Sequence, residues 1–172
     1  YFAANNFQAM GLNSNPELYK VGIENKNVSQ LTEGMDKSLW TSVGNDCRLG
    51  GGQSFTVSDG ELYFISTEGY NAYLNRLNAG QVERIIANEG TVDLFDIHEG
   101  QIAFVGFRDN QLQELYLYEN GEERQVSSFN DQVLAEKMVS EPEHFTVETS
   151  DGVELDAWVI KPVGYQKGEK YP

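Results

Sequence analysis

Cysteine occurs once, at Cys47, histidine twice and proline four times in 172 residues. A single thiol excludes an internal disulfide and fits a reducing compartment, so a cytoplasmic location is expected. His98 and His144 stand without a cysteine or a second histidine at ligand spacing, which leaves the sequence without a zinc signature. Basic residues are scarce as well: 12 Lys and Arg face 27 Asp and Glu, a formal charge of −15. That field repels phosphate backbones and anionic lipid surfaces, so neither nucleic acid nor membrane is an expected partner. No apolar run approaches the roughly 18 residues of a membrane-spanning helix. A charged leader with an apolar stretch behind it is also missing. The chain starts at Tyr1, and Tyr1-Phe2-Ala3-Ala4 reads as the middle of a strand. Both ends are expected to be cuts in a longer chain.

What is present points to an all-β protein. Hydrophobic residues make up 40% and aromatic residues 12%, enough for a real core. Seventeen glycines punctuate short runs rich in Tyr, Val, Ile and Phe, the pattern of strands joined by frequent turns. A repeat emerges when the glycines are aligned. Ser58-Asp59-Gly60-Glu61-Leu62-Tyr63-Phe64-Ile65 matches His98-Glu99-Gly100-Gln101-Ile102-Ala103-Phe104-Val105, with Gly60 and Gly100 40 residues apart. Downstream, the segment ending at Gly80 matches the one ending at Gly121, 41 residues on. A period near forty built of short strands is the signature of propeller blades, each a four-stranded antiparallel sheet. Leucine-rich repeats need a shorter period with strict leucine spacing and are excluded.

The repeat predicts a partial β-propeller of about two and a half blades. A partial blade covers Tyr1 to about Thr32, with a plain loop from Ala4 to Pro16 between its first two strands. The next runs from about Leu39 to Ala87, with its inner strand near Gln53–Val57, and the last from about Thr91 to Ser128. Asn130 to Met138 is expected to form one helical turn capped by Asn130 or Asp131. Two alternating runs then flank Ser150-Asp151-Gly152, a strong hairpin signal because glycine accepts the positive φ of a tight turn. Phe145, Val147 and Thr149 share a face on the first run, as do Val153, Leu155, Ala157 and Val159 on the second. Pro162 ends the hairpin.

Catalytic and binding patterns are thin. Gly51-Gly52-Gln53-Ser54-Phe55-Thr56 approaches a nucleophile elbow, but Thr56 stands where the second glycine belongs, so Ser54 is not taken as a nucleophile. Gly50-Gly51-Gly52 lacks the Lys-Ser/Thr of a phosphate loop and reads as a turn. Asp93 and Asp96 lack calcium-loop spacing. His98 reads as a turn residue and His144 as a strand-start residue. Asp156 and Trp158 read as a surface pair on one strand face. Asn27-Val28-Ser29 matches a glycosylation sequon by pattern and a turn asparagine by context. Cys47, beside Arg48 alone, reads as a buried small residue.

One stretch says more. Glu141-Pro142-Glu143, a strand, Ser150-Asp151-Gly152, Leu155-Asp156-Ala157-Trp158-Val159-Ile160-Lys161-Pro162, a loop containing Gly164 and Gly168, and Lys170-Tyr171-Pro172 follow in order. This order resembles the junction where the propeller hands over to the α/β-hydrolase domain in the prolyl oligopeptidase family of serine peptidases, nearest its acylaminoacyl-peptidase-like branch. The resemblance implies a parent with about seven propeller blades capping a hydrolase domain. There a Ser-Asp-His triad cleaves short peptides through an acyl-enzyme, and the propeller restricts access. It implies residues 1–138 as partial propeller and residues 139–172 as linker and first hairpin of the hydrolase domain. A buried strand and a His-Gly-Gly-Pro oxyanion loop are then expected after Pro172. No triad or oxyanion residue transfers onto this sequence, so catalytic, cofactor and metal residues are assigned as none, and the chain alone is expected to be inactive. Short peptides are the expected partners of the parent, with self-association through blade edges near Tyr1 and Ser128. The competing reading is a non-enzymatic β-propeller used as a binding module.

Overall fold

The computed structural model describes residues 1–44 and 52–171. The chain divides into two compact units, Tyr1–Ser128 and Phe129–Pro172. In the first, β1 (Phe2–Ala4), β2 (Glu17–Val21) and β3 (Val28–Gln30) form a three-stranded sheet in that order. A four-stranded meander follows: β4 (Phe55–Ser58), β5 (Glu61–Glu68), β6 (Asn71–Asn78) and β7 (Gln81–Ile86). A second meander contains β8 (Leu94–His98), β9 (Gln101–Gly106), β10 (Glu114–Glu119) and β11 (Glu122–Gln125). All neighbouring strands are antiparallel. These sheets are the expected blades, one partial and two complete.

Side-chain alternation explains why the sheets stack. On β5 the even residues Leu62 and Phe64 join Leu18, Leu39 and Leu77 in one cluster, on the side of the first sheet. The odd residue Ile65 joins Ala72, Leu74, Ile86, Ile102, Phe104 and Tyr116 on the side of the last sheet. The middle blade is therefore buried on both faces, which is why its central strands read as nearly continuous apolar runs. Phe64 and Leu74 are fully buried. Each such side chain stabilises the fold by about 1.5–3 kcal/mol, and truncating Phe64 to Ala would cost about 3–5 kcal/mol with the cavity it leaves.

Two local expectations change. The segment between β1 and β2, read as plain loop, contains a one-turn helix, α1 (Phe7–Met10), closed by the Gly11 N–H on the Phe7 carbonyl at 3.1 Å. The Asn5 side-chain amide also donates to the Ser14 carbonyl at 2.6 Å, tying the ends of the segment together. The inner strand of the middle blade starts at Phe55 rather than Gln53, because its ladder with β5 begins at the pair Phe55 and Phe64.

The second unit contains α2 (Asp131–Ala135) and a hairpin of β12 (Pro142–Glu148) and β13 (Glu154–Ile160). Asn130 is the N-cap of α2 as expected, but its side chain makes no capping bond. Gly152 adopts φ 83°, and the Thr149 N–H reaches the Val153 carbonyl at 2.8 Å to close the turn. The register pairs Phe145 with Ala157 and Val147 with Leu155 on one face, and His144 with Trp158 and Thr146 with Asp156 on the other. The strand begins two residues before His144, at Pro142, where a missing N–H is tolerated.

Candidate functional site

The two ends of the blades differ in chemistry. Turns β4–β5, β6–β7, β8–β9 and β10–β11 are two-residue hairpins at Asp59-Gly60, Ala79-Gly80, Glu99-Gly100 and Asn120-Gly121. All eight residues have positive φ, from 48° to 87°, the type I′ geometry that follows the right-handed twist of the strands. The opposite end carries the longer connections, β7 to β8 and β9 to β10, and the polar network lies there.

Arg108, just past β9, organises that end. Its Nε and Nη2 donate to the two carboxylate oxygens of Glu123 on β11, at 2.8 and 3.1 Å. Its Nη1 donates to the carbonyls of Thr91 (2.9 Å) and Phe107 (2.8 Å). Both side chains of the pair are nearly buried, and the guanidinium lies 5.0 Å from the Phe104 ring centre and 5.4 Å from that of Tyr116. Thr91 completes the junction: its Oγ1 accepts the Phe107 N–H at 3.0 Å and donates to Asp93 at 3.1 Å. Gln113 donates to the same Asp93 oxygen at 2.6 Å. The backbones approach so closely that a Cβ on Gly106 would sit 1.8 Å from the Thr91 carbonyl oxygen.

A cavity of about 430 Å³ opens beside this network, walled by Glu89, Arg108, Asp109, Tyr116 and Glu123 among others. Burial pushes the Tyr116 hydroxyl above its ordinary pKa; Arg108 opposes the shift, and Glu114, Glu123 and Asp109 add to it. The middle blade has a counterpart of about 410 Å³, walled by Lys37, Ser66, Asn75 and Arg84 among others. There Asn75 takes the place that Tyr116 holds one repeat later, and its amide donates to Ser66 at 2.8 Å. Lys37 and Arg84 both donate to Glu68, and the Lys37 hydrogen bond leads in holding that carboxyl below its usual range.

The residues singled out in the sequence are scattered over this framework. Ser54 is half-buried just before β4, and its carbonyl accepts the Ile65 N–H at 2.7 Å. His98 is exposed at the end of β8, next to the Glu99-Gly100 turn. Gly52 adopts φ 115° against Leu94, where a Cβ would meet Cδ2 at 2.2 Å. Asn27 is exposed in the β2–β3 turn. Cys47, Arg48, Gly50 and Gly51 lie outside the described residues. Three residues do come together. His144 Nε2 and Asp156 Oδ1 are 2.7 Å apart, and the His144 ring lies 5.1 Å from that of Trp158. Asp156 and Trp158 thus share a face as expected, while His144 joins them through the strand register. Sequence reasoning missed Arg108, Glu123 and Tyr116, because 15 residues separate the ion pair and no motif marks it.

Antiparallel blades with shared apolar interfaces define a β-propeller architecture. No family model matches the chain. Among curated proteins, it is 26% identical over 157 residues to the uncharacterized peptidase YuxL of Bacillus subtilis, covering 87% of this chain and 24% of that protein. Among solved structures, an acylaminoacyl peptidase in complex with Z-Gly-Gly-Phe-chloromethyl ketone superposes with a TM-score of 0.71 and 25% identity. That match covers 92% of this chain and 22% of the other. The β-propeller domain of the trilobed protease from Pyrococcus furiosus matches with a TM-score of 0.52 and 21% identity, over 70% of this chain and 34% of that one. The chain thus spans about a quarter or less of YuxL and of that acylaminoacyl peptidase. It is similar to the acylaminoacyl-peptidase-like branch of the prolyl oligopeptidase family, as residues 141–172 alone suggested. Among the described residues no helix is long and apolar enough to cross a membrane.

Proposed function

We propose that this chain belongs to a serine peptidase of the prolyl oligopeptidase type, contributing later propeller blades and the opening hairpin of an α/β-hydrolase domain. In this reading residues 1–138 are the propeller part, and residues 139–172 are the linker and hairpin. One observation carries it. The likeness to the acylaminoacyl peptidase covers 92% of the chain, more than Tyr1–Ser128 can supply, so it extends past the blades into the second unit. The propeller restricts access so that short peptides reach a Ser-Asp-His site in the hydrolase domain. A reducing compartment, the cytoplasm, suits the single cysteine. Strands β1 and β11, like β3, β4, β7 and β8, each pair on one side only among the described residues. Such edges favour association with a second copy, which sedimentation at rising concentration would register.

The test is the coding sequence beyond Pro172. It should encode a buried apolar strand, then His-Gly-Gly-Pro or a close variant, then Gly-x-Ser-x-Gly, Asp and His in that order. Glycine-rich backbone after that strand would bring N–H groups to the developing oxyanion. A further forty-residue blade in place of the loop leaves a binding propeller and removes the peptidase reading.

A further inference from the structure

We propose that Asn120 is a self-modification site, whose side-chain amide converts to aspartate and isoaspartate through a cyclic imide formed with Gly121. Asn120-Gly121 is the one Asn-Gly step in the sequence, and it forms the exposed β10–β11 turn. Asparagine holds its amide carbon where the next backbone nitrogen closes a five-membered ring, an intramolecular attack that needs only the right orientation. Glycine puts no Cβ in the way of that nitrogen. The space around it is open, since a Cβ on Gly121 would meet nothing within 4 Å. Among the described residues, nothing hydrogen-bonds the Gly121 N–H or the Asn120 side chain, so no contact has to break first.

The turn geometry favours the ring. Closure requires the backbone C–N bond to eclipse Cα–Cβ, which happens when ψ of the asparagine is about −120°, the value at the first central residue of a type II′ turn. Asn120 already has the positive φ of that residue, 54°, with Gly121 at 87°. Rotating the single peptide plane between them converts type I′ to type II′ and reaches the reactive arrangement. Both types join two-residue hairpins, so the Glu119–Glu122 pair and the ladder behind it stay closed during the flip. The other three turns share the geometry and lack the chemistry. Asp59 offers a carboxylate, a far weaker electrophile than an amide; Ala79 has no acyl group; Glu99 carries its carboxylate one methylene too far.

In the reaction the Gly121 nitrogen bonds to Asn120 Cγ, the Cγ–Nδ2 bond breaks, and ammonia leaves with the Gly121 proton. Water then opens the imide at either carbonyl to give aspartate or isoaspartate, and nothing is oxidised or reduced. Aspartate adds a carboxylate beside Glu119, Glu122 and Glu123, and like charges across a strand pair destabilise it. Isoaspartate adds a methylene to the main chain inside a two-residue turn, just before the Glu123 that grips Arg108. Either product loosens β11 as the protein ages. The proposal stands apart from the peptidase reading and survives or fails without it.

Prolonged incubation of the full-length gene product in native buffer, followed by peptide mapping, tests it. The peptide spanning Asn120 should gain the mass of amide-to-acid exchange and split into two isomers on chromatography. One isomer should accept methyl groups from a protein L-isoaspartyl methyltransferase. Conversion should speed up in proportion to hydroxide and outpace that of asparagines followed by larger residues, such as Asn78 and Asn110. In Asn120→Gln, which cannot close the five-membered ring, methyl acceptance by this peptide should be lost. Conversion at Asn120 no faster than at Asn78 and Asn110 overturns the proposal. So does conversion that occurs only in urea-unfolded protein, because the folded turn would then protect the amide.

Discussion

The hydroxyl of Ser127 donates to the carboxylate of Glu114, and its oxygen accepts the Leu115 N–H at 2.8 Å. The same clip occurs in the first sheet, where Thr32 donates to Glu17 and accepts the Leu18 N–H at 2.9 Å. In both, a Glu-Leu-Tyr strand start is held by a hydroxyl just past the next strand. Glu114 is 2% exposed. Removing the donor would take one hydrogen bond from a buried carboxylate, so Ser127→Ala should cost about 1–3 kcal/mol. Ser127→Thr should cost much less. Urea denaturation of the three proteins distinguishes these outcomes.

Arg108 and Glu123 form the most buried ion pair described, and the two partners leave unequal debris when removed. Arg108→Met strands a carboxylate under the β7–β8 connection and should cost about 3–5 kcal/mol. Arg108→Lys keeps the charge but loses the two-point grip and both carbonyl contacts, and should fall between Met and wild type. If Arg108→Met leaves the denaturation midpoint unchanged, the pair does not hold the two connections together.

Gly106 and Gly60 separate two reasons for a glycine. At Gly60 the φ of 82° calls for glycine, but a Cβ would meet nothing within 4 Å. At Gly106 a Cβ would collide with the Thr91 carbonyl. Gly106→Ala should therefore destabilise by about 4 kcal/mol or more, in the range that marks a clash with backbone. Gly60→Asn should cost about 1 kcal/mol or less, since asparagine tolerates left-handed φ. Thermal unfolding of both variants measures the difference.

Acid should loosen the middle blade by a small, assignable amount. The Lys37 and Arg84 contacts hold the Glu68 carboxyl below its ordinary value of 4.5. A depressed folded pKa means stability that is present above 4.5 and lost as pH falls through the folded value. Because Glu68 and its partners are partly exposed, the contribution is under about 1 kcal/mol. Glu68→Gln should remove that part of the pH dependence below 4.5 and leave stability above neutrality lower by the same amount.

Much of the fold was legible because the repeat is written in turn chemistry. Gly60, Gly80, Gly100 and Gly121 mark two-residue turns whose geometry demands positive φ, and alternation between them assigns faces. The helix α1 was not legible, since four residues held by Gly11 and by the Asn5–Ser14 contact carry no periodicity. The clips were hidden because Glu17 and Thr32 are 15 residues apart while Glu114 and Ser127 are 13 apart, so no fixed spacing repeats. Tyr116 reads as core in any apolar pattern, and it is core; its unpaired hydroxyl depends on contacts that only three dimensions supply. His144 acquired its place from the hairpin register, which pairs it with Trp158, 14 positions on, and sets Asp156, 12 positions on, diagonally opposite.

The central proposal is that catalysis by the parent resides in a serine beyond Pro172, not in this chain. Labelling the full-length gene product with a fluorophosphonate, then mapping the modified peptide, tests it directly. The account predicts one labelled serine, within a Gly-x-Ser-x-Gly segment downstream of residue 172, and loss of acylaminoacyl-substrate hydrolysis in proportion to labelling. Label on Ser54, or hydrolysis that persists with no serine modified, would contradict it.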